Sequence, residues 1–219
     1  NRIVNKINTI PIVLHTMDSY SAYWDNWFKL FKKHVKNHGT IYFLTEDKEP
    51  DFSFFEDVVH IKTGYGDWGA RLLNGLSQID SDLIFYMQED FWAIKDITLE
   101  DNFLELFKNY KMDCLKICLN SELISISPIT KDLYKYDRYS PYSISHQFAL
   151  WDKQYFMSNI KPNESPWENE IYGSNRIKET GHNIYYIDNY WYQPVCSRGK
   201  LQPIGYDILK NNNLKFYGR

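Results

Sequence analysis

Apolar runs of strand length alternate with segments of helical period along this chain, and that alternation limits the fold more than any single motif does. The run TIPIVLHT ends at His15 and Thr16. Tyr20, Trp24, Trp27, Phe28, Phe31 and Val35 follow it, spaced three and four apart as on one face of a helix. TIYFLT and DVVHIK then read as strands, Trp68, Leu72, Leu76 and Ile79 as the apolar stripe of a second helix, and DLIFYMQED as another strand. A β-α-β-β-α-β order predicts an α/β protein: a mostly parallel mixed sheet covered by helices on both faces, in three layers. In such sheets ligands bind beyond the carboxyl ends of the strands.

Downstream, NFLELFKNY is expected to be helical and CLKICL to be a strand with Cys114, Lys116 and Cys118 on one face. Weak periodicity and many Ser, Pro, Tyr and Asp residues predict a long irregular segment over 120–142. SISHQFALW resumes strand character, a helix begins near Ser165, NIYYID forms a last strand, and an irregular aromatic and polar tail completes the chain.

With 219 residues, 43% hydrophobic and 24% charged, one core is expected. The first residue is Asn1 rather than methionine, so we expect a single domain over 1–219 taken from a longer protein that carries additional domains. A net charge of −3 with scattered basic residues argues against a nucleic-acid partner. No apolar run approaches the ~20 residues of a membrane span, and no signal-peptide pattern opens the chain. The three cysteines, an odd number without zinc-site spacing, predict reduced thiols and a cytoplasmic location.

The run SDLIFYMQEDFWAI is unusual chemically, because an apolar strand ends in Glu89 and Asp90 and returns at once to Phe91 and Trp92. Desolvating two adjacent carboxylates is costly unless hydrogen bonds or a cation compensate. Either the pair turns to water, or it holds Mg²⁺ or Mn²⁺, which keep few protein carboxylates and take other ligands from phosphate and water. A second acidic segment is ESPWENE. Ser165 and Pro166 read as a helix start, and Glu168 stands three residues after the serine as in a capping box. Glu170 lies about 200° around a helix from Glu168, so the two do not share a cleft.

The run WGARLLNGLSQIDSDLIFYMQEDFW resembles the segment around the acidic metal motif of glycosyltransferases with the GT-A fold, and VLHTMDSY, SISHQFALW and SPWENEIYGS are similar to other segments of that family. One departure is Gln88, which stands where the usual acidic triplet has its first carboxylate. The resemblance implies a GT-A-like fold, a nucleoside diphosphate sugar as donor, a saccharide or glycan acceptor, and a Mn²⁺ or Mg²⁺ ion on Asp90 with help from Glu89. It places Thr16 and Asp18 near the nucleotide, and Arg71, Gln88, Arg198 and Lys200 toward the diphosphate. Asp18 reads equally as the N-cap of the following helix. An inverting transferase needs a base for the acceptor hydroxyl; Glu170 is the first candidate and Glu168 the fallback. Trp92 and Trp167 flank the carboxylates as candidate pocket walls, and His146 and Gln147 as contacts to donor sugar or acceptor. Two other readings stay open: a nucleotidyltransferase, although VLHTMDSY lacks a glycine-rich phosphate loop, and a non-catalytic carbohydrate- or nucleotide-binding domain. A glycosidase, with two opposed carboxylates, is not excluded by sequence.

Overall fold

The computed structural model describes residues 6–51, 53, 57–119, 126–130 and 132–218. Strand β1 (Ile12–His15) leads through a 3₁₀ turn, Asp18–Tyr23, into helix α1 (Trp24–His34). The short β2 (Val35–Lys36) precedes β3 (Ile41–Thr45) and β4 (Val58–Lys62); α2 (Trp68–Ser77) then leads to β5 (Leu83–Gln88). After the Glu89–Asp90 turn come β6 (Phe91–Ala93), β7 (Ile97–Thr98), α3 (Asp101–Asn109) and β8 (Cys114–Cys118). The second half contains β9 (Ile126–Thr130), β10 (Leu133–Tyr136), β11 (Ala149–Asp152) and α4 (Lys153–Ser158). A continuous helical stretch follows: α5 (Pro166–Glu168), a π-helical turn over Asn169–Gly173, and α6 (Ser174–Thr180). The chain ends with β12 (Ile184–Asp188), β13 (Tyr192–Pro194), the hairpin β14 (Cys196–Ser197) and β15 (Lys200–Leu201), and α7 (Pro203–Asn211).

Nine strands form one sheet in the order β4-β3-β1-β5-β11-β8-β12-β10-β9. All but β10 and β11 run in one direction, so the sheet is mixed and mostly parallel, as the repeating order predicts. Period-two alternation sends residues to opposite faces. Ile12, Leu14, Phe85 and Met87 join one core with Trp24, Trp27 and Phe31 of α1. Val13, Ile84 and Tyr86 join the other with Trp68, Leu72 and Leu76 of α2. The result is the expected α/β/α sandwich.

The helix over Tyr20–Val35 starts later than its periodicity predicts, at Trp24, because a 3₁₀ turn occupies its first residues. The 120–142 segment is not irregular throughout: β9 and β10 pair antiparallel and extend the sheet beyond β12, while residues 120–125 and 131 lie outside the described residues. Alternating Tyr and Lys in LYKY is a weak period-two signal, since lysine stems and tyrosine rings cover the sheet as apolar residues do. In SISHQFALW only Ala149 onward is strand; residues 143–148 form a loop whose His146 N–H reaches Glu170. The tail is ordered into β13, β14, β15 and α7, with β13 antiparallel to β6.

Helix α2 is held unusually close to its surroundings. A Cβ on Gly69 would lie 2.0 Å from the Lys161 carbonyl oxygen, and one on Gly75 would lie 2.1 Å from Leu44 Cδ2. Because the first of these contacts is to backbone, it is relieved only by moving the helix from the 161–164 loop. Gly69→Ala is expected to cost about 1–3 kcal/mol, read as a lower midpoint in urea unfolding; an unchanged midpoint contradicts this packing.

Candidate active site

The carboxyl ends of β1 and β5 lie side by side, with His15 opposite Gln88. Beyond β5 the chain turns through Glu89 and Asp90. The Glu89 side chain is 7% exposed, and Asp90 is half-buried. Both acids are held above the usual carboxylate range: Glu89 well above it, by burial and then by the charge of Asp90, and Asp90 up to about 6, by burial. Hydrogen bonding from Thr16 and the charge of Arg71 offset the shift of Glu89 in part. Among the described residues neither acid has a salt-bridge partner.

A roof covers this turn. Backbone N–H of Val195 donates to the Asp90 carbonyl at 2.8 Å, which fixes the tail over the acids. Tyr20, Tyr23 and Cys196 stand close by: burial first, and then the charges of the two carboxylates among others, hold the Tyr20 hydroxyl and the Cys196 thiol above their usual ranges, so both give up a proton less readily. Trp92 lies beneath, fully buried against Tyr23 at 6.0 Å, so its ring packs the floor and offers no stacking face. Arg198 and Lys200 project exposed from the β14–β15 turn, where Arg198 (φ 50°) and Gly199 (φ 76°) both adopt left-handed backbone. Such a pair is the signature of a tight hairpin turn.

These residues suit a hard divalent cation. Two carboxylates sit in a corner where burial already holds their protons more tightly than usual, and a cation there would reverse that displacement. No group of three or more His, Cys, Asp or Glu able to hold a metal exists among the described residues. A cation bound at this corner would therefore need further ligands from phosphate and water.

Asp18 does not cap the following helix. Its carboxylate accepts from the backbone N–H groups of Glu46, Asp47 and Lys48 at 3.1, 3.0 and 2.9 Å, and its own N–H donates to Glu46. It therefore ties the loop after β1 to the loop after β3. Arg71 is not a surface residue either. It is 3% exposed and donates from Nη2 to the Thr16 carbonyl at 2.7 Å and from Nε to Thr63 Oγ1 at 3.0 Å. Two of its nitrogens thus hold protein oxygens, so Arg71 shapes the floor under Thr16. The first N–H groups of α2 are also used, by the Glu164 and Pro162 carbonyls, and do not offer an anion site.

On the other side of β5, the 143–148 loop meets the π-helical turn. Backbone N–H of His146 donates to Glu170 Oε2 at 3.1 Å, which orients this carboxylate, and Lys116 and Tyr86 lie within its field. Glu168 is exposed and completes the capping box with Ser165, each side chain accepting from the other's N–H at 3.2 Å. Trp167 is exposed; the Gln147 side-chain oxygen accepts from the Tyr192 hydroxyl. Glu164 is built in as a support: burial pushes its acidity one way, but Arg176, Asn169 and the Lys161 N–H outweigh it and hold the carboxyl below its usual range.

Two buried groups escape the sequence reading as functional elements. His15 has no hydrogen-bond partner for either ring nitrogen and lies 5.8 Å from the Trp68 ring. Lys116, 1% exposed, stands inside the apolar run CLKICL, and that lone charge is the one signal in the sequence that marks it. His146 is packed among Trp68, Tyr86 and Phe156. Burial, and then the charge of Lys116, depresses its ring to about 3. The folded protein thus keeps this imidazole neutral where the unfolded chain takes up a proton below about 6.5, so stability falls as pH drops from there. Relative to His146→Phe, the wild type is expected to lose roughly 2 kcal/mol between pH 7 and pH 5, measured as diverging unfolding midpoints; parallel pH profiles refute it.

Neither a family model nor a curated protein matches the chain. Solved structures do. The structure titled S. aureus TarS 1-349 aligns with a TM-score of 0.57 at 12% identity, over 84% of this chain and 59% of that one. That titled S. aureus TarS aligns at 0.58 and 13% identity, over 93% and 38%. TarS 1-349 in complex with UDP aligns at 0.56 and 11% identity, over 84% and 59%. The chain therefore spans less than two thirds of these proteins. The likeness is one of fold, and that fold is the GT-A-type glycosyltransferase fold.

Proposed function

From the GT-A-type fold of this chain, we propose that it is a glycosyltransferase that moves a hexose from a nucleoside diphosphate sugar to a hydroxyl of a saccharide or glycan acceptor, with a divalent cation. The observation that carries this reading is the roofed pair at the carboxyl end of β5, the buried Glu89 and the half-buried Asp90, which have no salt-bridge partner among the described residues. Asp90, helped by Glu89, would hold Mn²⁺ or Mg²⁺, with Gln88 beside them. When bound, the cation neutralises charge on the departing diphosphate.

The chain's own residues do the rest. Arg198 and Lys200, exposed on the hairpin above the acids, meet the phosphates. Thr16 and the Asp18 clamp form the wall along which the nucleoside lies, on the floor held by Arg71. Glu170, aimed by the His146 N–H, takes the proton of the acceptor hydroxyl as that oxygen attacks the anomeric carbon. Glu168, committed to its capping box, is the weaker candidate for that step. Gln147 and Trp167 flank Glu170 on the sugar side; the His146 ring, expected from the sequence to meet a sugar, is packed in the core and contributes only its backbone N–H, while Trp92 supports the floor. Because one structural neighbour is a complex with UDP, uridine diphosphate sugars are the first donors to test.

A donor-hydrolysis assay over a panel of nucleotide sugars, with and without Mn²⁺, tests this reading. Release of nucleotide from one donor, strengthened by the cation, is the expected result. No release from any of them, together with no UDP binding by calorimetry, rejects it.

A further inference from the structure

The helical stretch that carries Glu170 and the loop bonded to it expose large side chains to solvent. Trp167 is 71% exposed and Tyr139 is 68% exposed, and Ile171, Tyr172 and Tyr142 also face solvent. They come from two segments stitched together. The Ser174 hydroxyl accepts from the Ile144 N–H at 3.0 Å and donates to the Ile144 carbonyl at 3.1 Å, and Arg138 donates to the Lys178 and Glu179 carbonyls. Loop 137–147 and the helical stretch 166–180 therefore present one continuous face, with Glu170 between its halves.

The protein invests in the position of this loop. Tyr142 adopts a left-handed backbone with φ of 54°, a conformation that costs a bulky residue about 1–3 kcal/mol. Its carbonyl accepts at 3.1 Å from the ammonium of Lys116, which also lies 4.2 Å from the centroid of the Tyr136 ring. Burying a lysine is costly even with a carbonyl, a ring and the field of Glu170 to offset it. It is understandable if the loop must stand where it does. The π-helical turn across Asn169–Gly173 is a second irregularity on the same face, of a kind that recurs at functional sites.

We propose that Trp167 and Tyr142, with Tyr139, Ile171 and Tyr172, form a platform on which an uncharged oligosaccharide lies, so that the acceptor is the end of an existing neutral glycan. This rests on the transferase reading for its name as acceptor, but not for its chemistry. Flat rings stack on the apolar faces of sugars, while the hydroxyls remain in water or bond at the edges. Charge selects against other occupants. Arg176 is paired with Glu164, Arg138 is tied to two carbonyls, and Lys178 donates to Asn175. Glu168 and Glu170 contribute negative charge to the face. A phosphate-bearing polymer or an acidic membrane needs a net positive landing site, and here the Arg176 charge is countered by Glu164 while Glu168 and Glu170 offset those of Arg138 and Lys178.

Direct titration tests the platform without any donor. Neutral hexose oligosaccharides of two to six units are added to the whole protein, and tryptophan fluorescence and calorimetry record binding. Binding that strengthens with length, weakened at least tenfold by Trp167→Ala and by Tyr142→Ala but not by Tyr217→Ala at an exposed remote ring, supports the proposal. The same variants should keep the wild-type unfolding midpoint within a few degrees. Absence of oligosaccharide binding in the wild type, or equal binding in the Trp167 and Tyr142 variants, overturns it. So does loss by Trp167→Ala of binding to vesicles containing phosphatidylglycerol. Failure of nucleotide release in the hydrolysis assay would instead strike the transferase reading, leaving the titration to stand by itself.

Discussion

Asp90→Asn is expected to remove sugar transfer, by a factor of roughly 10² or more, and at the same time to make the protein more stable at alkaline pH. The two effects share one cause. The Asp90 carboxyl has been moved from its ordinary range up to about 6 by burial, so the folded state holds its proton more tightly than the unfolded state does. The benefit of that proton is complete below the unfolded value near 3.9 and disappears as pH rises through 6. Above it, the buried charge is a burden that asparagine lacks. A shift of this size corresponds to at most about 3 kcal/mol, and since Asp90 retains some exposure we expect roughly 1–2 kcal/mol at pH 8. Urea unfolding of both proteins at pH 8 and pH 4 measures it, the gap closing at the acid end. Mn²⁺ with UDP should raise the wild-type midpoint and leave that of the variant in place. A variant less stable at pH 8, or one that still turns over donor, contradicts the role given to this acid.

Glu170→Gln is expected to separate chemistry from donor binding. Glutamine keeps an oxygen to accept from the His146 N–H, so the loop stays where it is, but it takes no proton at neutral pH. Transfer to acceptor should fall about 10²- to 10⁴-fold, while affinity for UDP changes less than twofold. Single-turnover transfer and calorimetry together give both numbers. Full turnover in the variant removes Glu170 as base and returns attention to Glu168, whose capping role predicts instead a loss of stability when it is changed to alanine.

The layered fold was legible because its strands and helices carry clean periods. Ile12, Leu14, Phe85 and Met87 alternate with Val13, Ile84 and Tyr86, and each set finds its own helix layer. The capping box at Ser165 was legible for the same reason, since its partners are three residues apart. What stayed hidden depends on contacts between distant segments. Nothing in the first strand reveals that Asp18 will accept three N–H groups from residues 46–48, because an aspartate before a helical pattern looks the same when it caps a helix. Arg71 sits on the flank of an amphipathic helix, where arginine is normally solvated. Its burial follows from the approach of the Thr63–Gly64 segment, which local pattern does not encode. Trp92 next to a carboxylate suggests a pocket wall until β13 is seen to pair with β6 and close over it.

That closure has a consequence for how the acid pair should be thought of. The tripeptide Gln88, Glu89, Asp90 by itself is an ordinary hydrophilic stretch. Its suppressed ionisation comes chiefly from burial, and part of that cover is a segment encoded far downstream, tied on by the bond from the Val195 N–H to the Asp90 carbonyl. Heritable change in the sequence around Val195 and Cys196 would retune this corner without touching a carboxylate.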